Sequence, residues 1–566
     1  MKRENVFLLV FLLFVFYTVY LQGQIIKTPA EENGYSRYTQ YWELANYLSA
    51  IQAESQNIVI KTIGRTFESR DINQLRDIFL VIITEHGISS PDELNSKKPT
   101  AYFLASQHGD EQSGKEAALV LIRELAMGKL KSILDKVNVL IIPQMNPYGN
   151  EVDGRRNEQN LDMNRDHIKL EAPPVEAAHG VFKRWLPEVT MDLHEKGQSY
   201  YQIDIGVVSN LNIDKKLQDY SRKKILPYIE KELNEKDFTF HEYLVRQPIG
   251  MDTSSGAALS QQRREREYLT RYSTTDINDG RNSFGIYNTL SFICEKSSDG
   301  TVDSLRQRTQ CQLIAMKGLI EFVAENAAEV KNLVNTCRED IAQKGIEYSA
   351  DDVVHIRMEY VEDQSEPPLI LKRFKDEEEM IMGELKVDKK KGELVKLSEL
   401  DLSKRGISKE IESVQVENWR PTVKSFLTVS RPLAYFIPQE HKDVVNTLLR
   451  HGIHVQQIIA DQPLEVQCYK LKEIIPSQSD YLAPEKIEVQ PFEQKIIAKK
   501  GDFLVSCHQL ASNQIVIFLE PQSSYGLIRY YKYNLVPQTG DIFPVYRILK
   551  KSNLKTIYYK KWSLSF

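Results

Sequence analysis

His108-Gly109-Asp110-Glu111 follows the apolar run Ala101-Tyr102-Phe103-Leu104-Ala105, and a further histidine, His194, closes the segment Met191-Asp192-Leu193. Two imidazoles and one carboxylate, each at the end of a strand-like stretch, are the donor types of a three-ligand catalytic zinc site. Such a site leaves one coordination position open for water, whose pKa falls to about 7 on the metal. The expected chemistry is hydrolysis, with one Zn2+ ion held by His108, Glu111 and His194. His-x-x-Glu alone is weak, because a chain with 11 histidines supplies about one match by chance. Its position strengthens it: His108 falls where a strand gives way to a glycine turn and a helix beginning near Ser113, the carboxyl edge at which open sheets place their sites.

The elements that must position these residues can be read from apolar periodicity. Short apolar runs at 77–84, 100–106, 137–143, 189–193, 201–208 and 290–294 predict strands. Residues 113–126, 175–186 and 303–327 carry apolar side chains at helical spacing. Strands alternating with helices predict an α/β fold with a mixed, largely parallel sheet covered by helices on both faces. Beyond about residue 338 the alternation of half-exposed strands takes over (353–360, 369–374, 383–397), interrupted by solvated charge runs. A strand at 431–437, a helix at 440–449 stopped by Gly452 and a strand at 453–459 follow. The expected organisation is an N-terminal signal peptide or membrane anchor (1–23), a catalytic domain (24–335), a β-rich domain (336–430) and an α+β C-terminal domain (431–566).

Composition narrows the function classes. A net charge of -5, a pI near 6.2 and no finger or helix-turn-helix pattern argue against a nucleic-acid partner. Lys2 and Arg3 before the uncharged run Val6 to Tyr20 predict export, to the periplasm, cell surface or medium, with membrane association through this segment as the alternative to cleavage near Gly23. Five cysteines without close pairing define neither a disulfide framework nor a metal knuckle.

Two further groups of residues bear on catalysis. One is the run Gly154-Arg155-Arg156-Asn157 followed by Leu161-Asp162-Met163-Asn164-Arg165-Asp166; the other is Glu295, at the end of the strand Ser291-Phe292-Ile293-Cys294. Alternation puts Ile293 and Glu295 on one face and Phe292 and Cys294 on the other, so Glu295 either caps the sheet edge as an ion pair or points into a site. Cys294, inside an apolar strand, reads as buried and inert. His194-Glu195 and His241-Glu242 begin like His-Glu-x-x-His but have Gln198 and Val245 where the second histidine would stand.

Taken with Met145-Asn146-Pro147-Tyr148-Gly149, this order of motifs over roughly 35–335 resembles the zinc carboxypeptidase family. The resemblance implies His108, Glu111 and His194 as zinc ligands, with Asp162 as the carboxylate that orients a ligating histidine. It also implies Asn164 and Arg165 as the pair that binds the substrate's terminal carboxylate, where a guanidinium can fork onto the two oxygens. Arg155 is the implied carbonyl-polarising arginine, with Arg156 in reserve, and Glu295 the implied base. Tyr272 is the implied substrate-covering tyrosine, with Tyr268 behind it. Glu111 and His194 lie 83 positions apart, shorter than in the digestive members. That spacing leaves two hydrolytic readings open: a carboxypeptidase acting on peptides, and an amidase or endopeptidase acting on peptidoglycan peptides. A third reading, of another class, is a non-catalytic protein that binds peptide or cell-wall material; Glu295 beside the ligand set argues against it.

Overall fold

Strand β3 (Thr100–Ala105) is buried along its whole length, which fits a central strand with helices on both sides. In the computed structural model, which describes residues 26–67, 75–95, 97–248, 268–375, 385–387, 394–396, 410–477 and 482–559, it lies inside an eight-stranded sheet. The other members are β1 (Ile58–Arg65), β2 (Asp77–Ile83), β4 (Asn138–Ile142), β5 (Val189–Gly197), β6 (Ile203–Val207), β7 (Phe240–Glu242) and β10 (Leu290–Ser298), in the order β1-β2-β4-β3-β5-β10-β6-β7. The four central strands β4, β3, β5 and β10 run parallel, while β1, β2 and β6 pair antiparallel with their inner neighbours. The mixed, largely parallel sheet expected from the sequence is present.

Side-chain alternation shows how the two faces are covered. Leu193 of β5 lies against Gly114 of helix α1 (Ser113–Ala126), whereas the preceding Asp192 points the other way, toward Gly280 of the short helix α3 (Gly280–Gly285). The long helix α4 (Leu305–Glu325) packs with α1, and α2 (Pro173–Trp185) packs through Phe182 onto Phe284 of α3. Both layers bury apolar side chains on the sheet, and the resulting core is the main stabilising feature of the domain.

A second sheet belongs to the C-terminal region. Its seven strands, ordered Lys486–Ala498, Gln462–Ile475, Tyr546–Ile548, Ala434–Ile437, Phe503–Ser506, Gln456–Ile458 and Thr556–Tyr558, pair antiparallel throughout. The helices Lys442–Arg450 and Ser512–Leu519 share a core with its strands Ala434–Ile437 and Phe503–Ser506. The main core runs without a break from Leu44 to Val545, so this region is fused to the catalytic unit rather than tethered to it. The boundary expected at 335 falls inside the helix Ala327–Ala342. A two-residue strand, Trp419–Arg420, joins β9 (Tyr268–Tyr272) and β8 (Leu244–Pro248) in a three-stranded sheet made by both regions.

The expected signal peptide or anchor and most of the expected strand 383–397 lie outside the described residues. Among the described residues no helix is long and apolar enough to cross a membrane. All five cysteines are buried and free.

Candidate metal centre

His108 leaves the end of β3 on a turn that only glycine can follow. A Cβ on Gly109 would stand 2.0 Å from the backbone carbon of Gly149, so the turn 146–151 could not pack where it does. Asn150 Nδ2 donates to the Gly109 carbonyl at 2.7 Å and secures the contact. One turn later Glu111 reaches back over His108, and His194 arrives from β5. Glu111 Oε1 lies 2.7 Å from His108 Nδ1, Glu111 Oε2 lies 2.7 Å from His194 Nδ1, and the two Nδ1 atoms are 3.1 Å apart. These residues form the cluster of His, Cys, Asp and Glu that could hold a metal ion among the described residues, their ligand atoms all within 4.8 Å of one another.

Each imidazole presents Nδ1 to the centre and Nε2 to a carboxylate behind it. Asp162 Oδ1 stands 3.2 Å from His108 Nε2, and Asp192 Oδ2 stands 2.8 Å from His194 Nε2. A carboxylate in that place holds the proton on Nε2 and leaves the Nδ1 lone pair for a metal. The donor set therefore suits a zinc ion: two neutral nitrogens and one carboxylate, preorganised and backed by anions. Asp192 was not identified from the sequence, although its i, i+2 spacing from His194 on a strand puts both on one face. Gln107 Nε2 donates to Asp192 at 2.5 Å and its Oε1 lies 2.9 Å from His167 Nε2, so a polar chain runs inward from the site.

The charges agree with this arrangement. Burial works to raise Glu111, yet His108 and His194 hold it well below the usual carboxylate range. Asp162 is likewise low against the effect of burial, through His108, Arg155 and Arg165. Burial works to lower His194, but Asp192 and Glu111 hold its imidazole well above the ordinary range. All three directions show carboxylates held ionised by positive charge around them, the part a zinc ion bound by neutral imidazoles would take over.

The other residues singled out in the sequence are placed as follows. Arg155 donates through Nε to Asp162 Oδ2 at 2.9 Å, and its Nη1 lies 3.1 Å from His108 Nδ1 and 3.6 Å from Glu111 Oε1, at the mouth of the site. Arg156 turns away and donates to the Asn160 carbonyl. Asn164 is committed to structure: its Oδ1 accepts from Gly280 N at 2.9 Å and its Nδ2 lies 3.3 Å from His194 Nε2. Arg165 donates Nη1 to the Asn164 carbonyl and keeps the rest of its guanidinium toward the cavity. Glu295 is the register partner of His194 on the adjacent parallel strand, and it and Ile293 line the cavity as alternation requires. Burial pushes its carboxyl up to about 7, the His194 charge opposing and the Glu111 charge adding to the effect.

Tyr272 is the exception. Leu269 and Arg271 of β9, and Ser273 just after it, face the cavity, so Tyr272 faces away, its ring 4.9 Å from that of Trp419 and under the Arg222 guanidinium. Tyr268, an even number of positions earlier, shares that outer face. The tyrosines that do line the cavity are Tyr243, just before β8, Tyr360 and Tyr525; burial and the Glu295 charge push the Tyr243 phenol well above the ordinary range.

The cavity encloses about 940 Å³ and holds His108, Glu111, Arg155, Asn164, Arg165 and Glu295 at one end. Residues 44–186 match the family model described as zinc carboxypeptidase. That stretch is a zinc carboxypeptidase domain by this match. Carboxypeptidase 2 of Trichophyton rubrum is 24% identical over 480 residues, covering 81% of this chain and 78% of that protein. Carboxypeptidase Z of Mus musculus is 28% identical over 127 residues, 19% of this chain and 18% of that one. Among solved structures, a metallo-carboxypeptidase from Burkholderia cenocepacia aligns with a TM-score of 0.38 at 16% identity, over 51% of this chain and 71% of its own. The family match ends before His194 and Glu295; it is the parallel pairing of β5 with β10 that brings both to His108 and Glu111.

Proposed function

We propose that this zinc metallocarboxypeptidase removes residues from the free carboxyl end of peptides, with Glu295 as general base, Arg155 polarising the scissile carbonyl and Arg165 anchoring the terminal carboxylate. The observation that carries the reading is the convergence of four groups in one cavity: the ligand cluster, a buried carboxyl beside it, and two arginines that border it. His108, Glu111 and His194 would hold the zinc ion, which when bound supplies Lewis-acid polarisation and acidifies water to a pKa of about 7. Glu295 has no hydrogen bond from another described side chain, so its oxygens are available to accept the proton of the attacking water and deliver it to the leaving amine. A carboxyl raised by burial suits both halves of that transfer, because it binds and releases a proton near neutral pH. Arg155, held by Asp162, presents Nη1 where negative charge would develop on the carbonyl oxygen. Arg165, steadied by Asn164 and by Asn278, whose Nδ2 donates to the Arg165 carbonyl at 2.8 Å, offers its remaining N–H groups to a carboxylate.

The test is metal content and turnover measured together on three proteins. Glu295→Gln is expected to keep its zinc and lose about 10²- to 10⁴-fold in kcat, while His194→Ala loses both zinc and turnover. A Glu295→Gln protein with zinc and full activity would remove Glu295 as base.

A further inference from the structure

The end of the cavity away from the ligand cluster is built by β8, β9 and the C-terminal region, and it carries two arginines side by side. Arg271 of β9 and Arg420 of the strand Trp419–Arg420 are direct register partners in a parallel pair, and both line the cavity. Register partners in parallel strands sit about 4.8 Å apart and project to the same face, where like charges repel. Among the described residues neither forms an ion pair. Arg271, only 9% exposed, spends its hydrogen bonds on neutral oxygens: Nε and Nη2 donate to Gln247 Oε1 at 3.1 and 2.6 Å, and Nη1 to the Tyr272 carbonyl at 3.1 Å. The Nε of Arg420 is buried with no partner at all. Burial, together with the further cation Arg281, pushes Arg271 below its ordinary range.

Three other cations of the same cavity are each paired with a carboxylate, while Arg165 and Arg357 donate to backbone carbonyls. Arg529 pairs with Asp276 at 3.0 Å, Lys196 pairs with Asp204, and Arg155 pairs with Asp162. Two arginines at partnered backbone positions on one cavity wall, partly dehydrated and without an ion-pair partner, form an unfavourable arrangement unless an anion completes it. The Arg271 guanidinium also stands over the Tyr360 ring at 5.5 Å, which fixes its plane and leaves its position little freedom.

We infer that Arg271 and Arg420 form an anion subsite that takes an acidic side chain of the peptide substrate, a second carboxylate besides the terminal one. The subsite is completed by a residue of the C-terminal region, which gives that region a part in substrate selection. A fixed pair of planar forks favours a carboxylate, which each can grip through two N–H groups, over a neutral amide of the same shape. The inference rests on the reading of the cavity as a peptide site.

The test uses the full-length zinc enzyme and peptides in which Glu replaces Gln one position at a time over the last three residues. The expected result is that at one position the Glu peptide has a kcat/KM about tenfold above its Gln counterpart, carried by KM, and that the ratio shrinks with added salt. Arg420→Gln lowers that ratio and Arg420→Lys retains part of it; Arg271→Gln lowers it where that protein folds. Equal values for Glu and Gln at all positions, or an unchanged ratio in Arg420→Gln, would overturn the subsite. Calorimetric binding of the same peptides to Glu295→Gln gives the same ratio without turnover. Failure of the proposed peptidase reading would therefore show as absent cleavage, and failure of the subsite as equal binding.

Discussion

At the scale of single residues the site depends on carboxylates that stand behind other groups. Asp162 serves two at once, one oxygen toward His108 Nε2 and the other accepting from Arg155 Nε, so it couples the orientation of a ligand to that of the arginine at the mouth. Arg155→Ala should therefore leave zinc bound and lower kcat by about 10²- to 10³-fold, the usual effect of deleting one group that stabilises a developing oxyanion; loss of zinc in this variant would mean that the arginine is a structural tether instead. The meeting of His108, Glu111 and His194, with Glu295 beside them, was legible in the sequence because each lies at or just beyond the end of an apolar strand. Asp192 and Tyr243 were not. Asp192 looks like an ordinary member of a strand until β5 is seen to turn its even positions toward α3, and Tyr243 precedes a hairpin, β8 and β9, that the sequence did not reveal as one. Tyr272 was misplaced for the same reason: with that register unknown, the face of the strand on which it lies could not be chosen.

At the scale of elements, the site is an edge feature of a parallel core. β3 delivers His108, β5 delivers His194, and β10, next to β5, delivers Glu295, so adjacent strand ends assemble what is distant in sequence. The turn 146–151 closes the other side through its backbone contact with Gly109. Gly109→Ala should displace that turn, destabilise the fold by about 1–3 kcal/mol and weaken zinc retention, measured as a lower thermal midpoint and faster loss of zinc to a chelator. An unchanged midpoint would show that the turn can yield without cost. The strands and helices of the sheet were legible because both-sided burial makes them continuous in apolar residues, and α1 has the bounds expected, Ser113–Ala126. β1, with partly exposed positions along Ile58–Arg65, lacked that signal and was missed.

At the scale of the whole molecule, the catalytic unit and the C-terminal region share one core and one cavity. His451 is a rivet between them: its Nε2 donates to the Ile168 carbonyl at 2.8 Å, its Nδ1 accepts from Gln514 at 3.1 Å, and its own carbonyl accepts from Tyr287 at 2.9 Å. That pattern requires a neutral ring, and burial lowers its pKa to about 3. The unfolded chain takes up this proton near pH 6.5 and the folded protein does not until about 3, so the histidine's share of stability is complete above pH 6.5 and declines as pH falls. Asp166, pushed up to about 7 by burial, acts in the opposite sense over part of that range. The difference between wild type and His451→Gln therefore isolates the effect: the variant should lose less stability between pH 6.5 and 4 in denaturant titrations, and parallel curves would refute the assignment. This fusion was hidden in the sequence, where a change from helical to alternating patterning near residue 338 suggested a boundary, although the helix Ala327–Ala342 runs across it. Which bond is cut is tested most directly by incubating the zinc enzyme with a peptide bearing a free carboxyl end and with its amidated twin, products being identified by mass. Stepwise release of single residues from the free peptide, with the amidated twin left intact, is the predicted result; equal cleavage of both, or internal cleavage of either, would contradict it.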